Sequence, residues 1–176
     1  VCSSDLILFL VLTSPLTLLS MLAILIEDGF PVIFQNVRIG EGGEPFKLYK
    51  LRSMYRAYSI GPQFDGQSKK NLQFEKQLIA KQSIKKGPVY KIAHDPRITN
   101  MGAFVRRWSI DELPQFWNVL IGNMSIVGPR PHQPREVDNY LRHHRRVLAI
   151  RPGISGLAQI SGRSDLSFED EVRLDT

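Results

Sequence analysis

Two adjacent carboxylates, Asp111 and Glu112, stand in the run Arg106-Arg107-Trp108-Ser109-Ile110-Asp111-Glu112-Leu113-Pro114-Gln115, with a pair of arginines one turn upstream. The combination suits phosphate chemistry. An ionised carboxylate can attack phosphorus, a divalent metal can neutralise crowded anions, and a guanidinium can hold a diphosphate through parallel N–H bonds. A structural reading fits the same residues. Ser109-x-x-Glu112 is a capping box, in which Ser109 caps a helix and Glu112 reaches back to the backbone. Asp111 in the first turn would complement the helix dipole, and that helix end would favour the ionised form needed by a nucleophile or metal ligand. The two readings do not exclude each other.

Two further stretches fit phosphate handling, although a plain loop is the commoner explanation of each. Gly128-Pro129-Arg130-Pro131 holds one arginine between prolines, which fixes the backbone around a single guanidinium. Arg151-Pro152-Gly153-Ile154-Ser155-Gly156 reads as a turn able to offer backbone N–H groups to an anion. Lys50 lies in an alternating run where Phe46, Leu48, Lys50 and Arg52 share one face, so two cations point the same way. On pattern alone, a solvated strand end is the plainer account of that pair.

These residues depend on a small set of elements. Residues 32–38 and 46–52 alternate in character and flank a loop with Gly40, Gly42 and Gly43, which predicts a β-hairpin. Residues 55–87 are polar and Lys-rich; Leu72, Phe74, Leu78 and Ile79 make one stripe of a short surface helix, with no constellation suited to catalysis. Helical content returns after Met101. Arg142-His143-His144-Arg145-Arg146 is a basic run expected on a solvated or phospholipid-facing surface, since no nucleic-acid motif accompanies it. The chain has 176 residues, a formal charge of +6, 43% hydrophobic residues, one Cys and four His. That makes long disorder, a disulfide framework and a multi-ligand zinc site poor expectations, and it points to an anionic partner.

Ahead of this lies an apolar run. Residues 6–26 carry no charge, and Thr13, Ser14, Thr17 and Ser20 are their polar members. As a helix the run extends about 30 Å, enough to reach across a hydrocarbon core. It lacks the basic flank and small-residue cleavage site of a signal peptide. A straight span is the plain reading. Ser14-Pro15 near the middle motivates another: proline removes a backbone donor, Ser14 offers its hydroxyl to the freed carbonyl, and a bend there returns the helix to the side it entered. Val1-Cys2-Ser3-Ser4-Asp5-Leu6 resembles translated sequencing-adapter DNA, and Leu174-Asp175-Thr176 ends without a cap, so a chain cut at both ends is expected.

In order along the chain, Ser14-Pro15, Pro31-Val32-Ile33-Phe34-Gln35, Lys50-Leu51-Arg52-Ser53-Met54 and Asp95-Pro96-Arg97-Ile98-Thr99 resemble one family, the bacterial sugar transferases, or monotopic phosphoglycosyl transferases. Ser109 to Gln115, Asn118-Val119-Leu120, Gly128 to Pro131 and Arg151 to Gln159 carry the resemblance furthest. It implies an α+β fold, mainly helical with a β-hairpin and preceded by a re-entrant membrane helix. Residues 1–30 would be the membrane-inserted segment and 31–176 a cytosolic catalytic domain, shortened at its C-terminus. The implied reaction moves a sugar 1-phosphate from a nucleotide diphosphate sugar, with UDP as the expected nucleotide, to polyprenyl phosphate at the bacterial cytoplasmic membrane, with Mg²⁺. Asp111 would attack the sugar-bearing phosphorus and also hold the metal. Glu112 would handle a proton or place the acceptor. Lys50, Arg106 and Arg130 would engage phosphates or nucleotide. Membrane lipid is an implied partner, nucleic acid is not, and a homo-oligomer is compatible with the resemblance. Asn123 and Ser155 depart mildly from the family pattern, where an acidic residue and Thr are common. A membrane-attached scaffold with a silent site is the alternative class.

Overall fold

The computed structural model describes residues 3–61, 63–64, 68–83, 88–90, 92, 94–162 and 166–176. Val1 and Cys2 of the adapter-like start lie outside them, as do parts of the polar stretch 55–87. The described residues form an α+β fold, mostly helical, with a pair of two-stranded sheets.

Helix α1 (Ser3–Asp28) takes up the whole apolar run and carries Pro15 inside it. Pro15 has no N–H for the carbonyl of Val11, and the Ser14 hydroxyl donates to that oxygen at 2.7 Å, as the sequence suggests. Leu6, Leu10, Thr13, Thr17, Ser20 and Ile24 recur at spacings of three and four and make the covered stripe, with Leu6, Ser20 and Ile24 buried. Leu8, Leu12, Leu19 and Ile26 face outward. The C-terminal end of α1 is pinned. Arg52, itself buried, donates to the carbonyls of Asp28 and Gly29 at 3.1 and 2.7 Å, and lies 3.3 Å from the Asp28 carboxylate. Those carbonyls have no partner within the helix, so the guanidinium fills a need that every helix end has. The Glu27 carboxylate accepts from the backbone N–H groups of Asn100 and Met101 and so serves the first turn of the next core helix.

Strands β1 (Ile33–Ile39) and β2 (Pro45–Leu51) form the expected hairpin, antiparallel, with Phe34 opposite Lys50, Asn36 opposite Leu48 and Arg38 opposite Phe46. Helix α2 (Ser68–Gln82) follows. Of its expected apolar stripe Leu78 is buried, Leu72, Phe74 and Ile79 are half-buried, and Phe74 stacks on Tyr58. The same helix also buries Asn71 and Glu75, which the apolar pattern does not reveal.

Helix α3 (Asn100–Arg107) is capped by Thr99, whose hydroxyl accepts from the Gly102 N–H at 2.8 Å. A 3₁₀ turn at Ile110–Glu112 leads to α4 (Gln115–Leu120). Ile24, Val32, Leu51, Val105 and Ile110 form one core cluster, so α1, the hairpin and the carboxylate turn share a packed centre. Val137, Tyr140, Val147, Phe168 and Val172 form another, joining α5 (Pro134–Val137), the 3₁₀ turn His144–Ala149 and α7 (Phe168–Leu174).

The segment Arg151–Gly156 is not an open anion-binding turn. Its centre is strand β4 (Gly153–Ser155), parallel to β3 (Ser125–Val127), and α6 (Leu157–Ser161) follows directly. The Gly153 N–H donates to Pro129 O, while Ser155 O accepts from the Gly128 N–H, both at 2.9 Å. The backbones meet so closely that a Cβ on Gly153 would lie 2.1 Å from Gly128 N. This contact fixes the start of the Gly128–Pro131 loop.

Candidate active site

The carboxylate pair is delivered by a sharp reversal. After α3 ends, Ser109 adopts left-handed angles, φ 56° and ψ 21°, which cost energy for a residue with a Cβ. Its side chain makes no cap hydrogen bond, so the capping-box reading of Ser109 and Glu112 does not hold. Glu112 instead accepts from Lys50 Nζ at 2.6 Å. Lys50 is therefore no solvated strand end: alternation in β2 turns it inward to the pair, and Arg52, two residues on, is used at the end of α1.

Asp111 is buried, with 7% of its surface exposed. Burial pushes its carboxyl above the ordinary range; the charges of Lys50 and Arg106 pull the other way without overcoming it, and Glu112 adds to the rise. This corrects the expectation that a helix end favours the ionised Asp111: the net shift is upward, and desolvation is its largest cause. Glu112 shifts downward. Burial raises it, but the adjacent Lys50 ammonium, Arg130 and a bond from Gln115 together outweigh that. Two neighbouring carboxylates thus have unlike proton affinities, the usual setting for divided acid–base and nucleophilic roles.

Arg106 donates from Nε to the Ser53 hydroxyl at 2.7 Å, which aims its guanidinium along the cavity wall. Burial lowers Arg106, and the charges of Asp111 and Asp95 offset part of this. Arg130 is exposed to the cavity and interacts electrostatically with Glu112, Lys50 and Arg106. All five predicted site residues, Lys50, Arg106, Asp111, Glu112 and Arg130, line one cavity of about 1620 Å³. Ordinary small-molecule sites occupy about 300–1,000 Å³, so this one has room for more than a compact ligand.

The cavity extends to a second polar station. Glu75 of α2 accepts from Arg135 Nη2 at 2.9 Å and from the Tyr90 hydroxyl, and lies 3.8 Å from Arg97. Arg97 is held by Asp95 through paired bonds, among them Nη2 to Oδ2 at 2.7 Å. Arg38 donates to Pro131 O at 3.2 Å and sits 3.6 Å from Glu136; burial lowers it to about 10, against the pull of Glu136. The polar stretch 55–87 therefore contributes a wall of the site, contrary to its sequence reading. Arg38 was legible in principle, because Phe34, Asn36 and Arg38 share a face with Leu48 and Lys50 once the hairpin register is known. Glu75, Arg135 and Ser53 carried no spacing signal.

Outside the cavity, Phe9 of α1 packs on Phe116 of α4 with ring centres 4.3 Å apart. Trp108 and Trp117 remain 65% and 50% exposed on the segments that run past α1. The basic run presents Arg142, Arg145 and Arg146 to solvent but buries His144. His143, His144 and Glu169 bring possible ligand atoms within 4.8 Å of one another. His144 Nδ1 accepts the Leu141 N–H, which assigns the remaining ring proton to Nε2 for Glu169 at 2.6 Å. That tautomer suits a hydrogen bond rather than a metal.

The chain matches the bacterial sugar transferase family over residues 3–176, and it belongs to that family. It is 44% identical over 85% of its length to the galactosyl transferase CpsE of Streptococcus agalactiae. It is 36% identical, over its full length, to the undecaprenyl-phosphate galactose phosphotransferase of Salmonella typhimurium. With the UDP-glucose:undecaprenyl-phosphate glucose-1-phosphate transferase of Escherichia coli it shares 39% over 88% of its length. The matched parts are 30%, 34% and 29% of those relatives, so the chain spans about a third of their length.

Proposed function

We propose that this protein transfers a sugar 1-phosphate from a UDP-sugar to polyprenyl phosphate, the kind of reaction that the name of the Escherichia coli relative describes for that enzyme. The observation that carries this reading is the buried Asp111 beside the Lys50–Glu112 pair, in a cavity that Arg106 and Arg130 also line. An Asp111 oxygen attacks the phosphorus that bears the sugar. The bond from that phosphorus to the bridging oxygen breaks, its electron pair leaves with UMP, and the sugar phosphate stays on Asp111. An oxygen of polyprenyl phosphate then attacks the same phosphorus and frees the carboxylate. Arg106 and Arg130 hold phosphate oxygens, and Lys50 neutralises the charge that gathers between them. Glu112, kept ionised by Lys50, holds that ammonium where the acceptor phosphate must arrive and so places the acceptor.

Mg²⁺ fits this donor set. A carboxylate raised by burial gains from a cation, and Mg²⁺ is ordinarily held by one or two carboxylates plus substrate phosphates. Asp111 would hold it, and the ion would supply neutralisation of the phosphate oxygens.

The apolar helix is the membrane attachment. Its covered stripe runs from Leu6 to Ile24 against the domain, so both ends stay near one body, which supports a monotopic helix with both flanks on one face of the membrane; a nucleotide-sugar donor requires that face to be the cytosolic one. Trp108 and Trp117 suit the headgroup layer, where amphipathic rings concentrate. The test is a panel of UDP-sugars with undecaprenyl phosphate and Mg²⁺, given to the membrane-reconstituted protein and scored for UMP release. Release that needs Mg²⁺ and acceptor is expected. No release from any donor, with the fold intact, leaves the silent scaffold.

A further inference from the structure

The cavity has two polar ends, and the transfer chemistry uses one of them. Lys50 pairs in register with Phe34, and Arg38 lies four residues further along β1 on the same face. At about 3.3 Å per residue the two backbone positions are about 13 Å apart. Arg130 lines the same cavity and is close enough to both cations to interact electrostatically with each. The Arg38 end also contains Arg135. Its guanidinium is fixed at Nη2 by Glu75 and by the Tyr90 hydroxyl, lies 5.0 Å from the centre of the Tyr90 ring, and leaves 38% of the side chain exposed. Glu75 is in turn buried next to the Arg97–Asp95 fork.

The fixing of Arg135 needs a reason. An exposed arginine serving solubility alone would be mobile, whereas this one is held by a buried carboxylate and an aromatic ring on a wall of the cavity. A guanidinium held flat and partly open is a platform for a planar heteroaromatic ring, and it donates to ring carbonyl oxygens at its edge. A donor whose sugar-bearing phosphorus lies at Asp111 and whose phosphates pass Arg130 reaches toward this end with its nucleoside.

We propose that Arg135, kept in place by Glu75 and Tyr90 and flanked by Arg38, is the subsite for the nucleobase of the donor. The proposal rests on the sugar-phosphate transfer reading and adds to it where the nucleoside lies. In it Arg135 touches the base, and Glu75 is a positioning residue.

The experiment titrates UMP and ribose 5-phosphate, which lacks the base, against the full-length protein in detergent, in wild type, Arg135→Ala, Arg135→Lys and Glu75→Gln. Donor KM and kcat for UMP release are measured in parallel, and near-wild-type melting confirms each fold. Arg135→Ala is expected to weaken UMP about tenfold and ribose 5-phosphate less than twofold, with donor KM rising in step. Arg135→Lys should recover little, because the flat guanidinium is lost with the charge kept. Glu75→Gln should shift the same two values by a smaller factor and leave ribose 5-phosphate alone. Equal weakening of both ligands, or none, overturns the base subsite. If wild type releases no UMP from any donor, the transferase reading fails separately. The two titrations then still decide whether Arg135 recognises a base.

Discussion

Replacing Gly153 by Ala should dislodge Arg130 without touching it. The new Cβ would lie 2.1 Å from Gly128 N, 2.6 Å from Val127 C and 2.7 Å from Gly128 Cα, and all three are backbone atoms. Comfortable contacts begin at about 3.5 Å, so β3 and β4 must part by over ~1 Å. That opens the bonds from Gly128 N to Ser155 O and from Gly153 N to Pro129 O. Overpacking costs about 1–3 kcal/mol and each lost bond about 1 kcal/mol, for about 3–5 kcal/mol in all. At about 2–4 °C per kcal/mol, melting should fall by roughly 10 °C. The protein still folds if its stability lies in the ordinary range of about 5–15 kcal/mol. The displaced loop should nevertheless carry Arg130 away from the phosphates, so turnover at a temperature well below melting should drop about tenfold or more. Scanning calorimetry in detergent and UMP release supply the readouts. Gly162→Ala is the control, since the nearest atoms its Cβ would meet among the described residues belong to the Leu166 side chain, at 3.0 Å and beyond, and those can yield. A Gly153→Ala protein that melts and turns over like wild type would refute the claim that this backbone contact sets the arginine.

The remaining expectations concern the same site and its attachment. Labelling of the protein by donor should fall on the acid side, where protonated Asp111 cannot attack, and because burial raises Asp111 while Mg²⁺ opposes this, the fall should move to higher pH as Mg²⁺ is lowered. It should fall again on the alkaline side below the ordinary lysine range, because burial lowers Lys50 and its ammonium is lost early; a flat profile from pH 5 to 10 would oppose both assignments. Ser53→Ala removes the hydroxyl that aims Arg106, a bond to a charged group, and should cost about tenfold in kcat/KM, while Ser53→Thr should restore it. Cysteines at Asp5 and Phe30, in a Cys2→Ser background, should react alike with an impermeant reagent in sealed vesicles, and opposite reactivity would establish a span.

The reach of sequence reasoning here follows the physical range of its signals. Hairpin alternation, the freed carbonyl before Pro15 and the return of helix at Asn100 are local, and the structure has them within a residue or so. Lys50, Arg106, Asp111, Glu112 and Arg130 were named from motif order, and their spacing does not show what the structure does, that they line one cavity. The local rules failed where a partner distant in sequence decided the matter. Glu112 satisfies a capping pattern four residues long, yet Lys50, sixty-two residues away, takes its carboxylate. Gly153 and Ser155 look like turn residues until Ser125–Val127 supplies the other strand. Glu75 sits in a Lys-rich helix whose apolar stripe gives no hint that Arg97 and Arg135 wait on the other side. A buried charge is legible only with its partners, and these come from three separate parts of the chain.

The central claim is that Asp111 becomes covalently attached to the sugar phosphate. Donor and Mg²⁺ without polyprenyl phosphate should therefore place a hexose-phosphate adduct on the protein, mapped to Asp111 by peptide mass spectrometry. The adduct should be absent from Asp111→Asn, which keeps the size of the side chain but is a very poor nucleophile. It should disappear from wild type when acceptor is added. An adduct on folded Asp111→Asn, with deamidation excluded by mass, would contradict the account, as would steady UMP release by that variant.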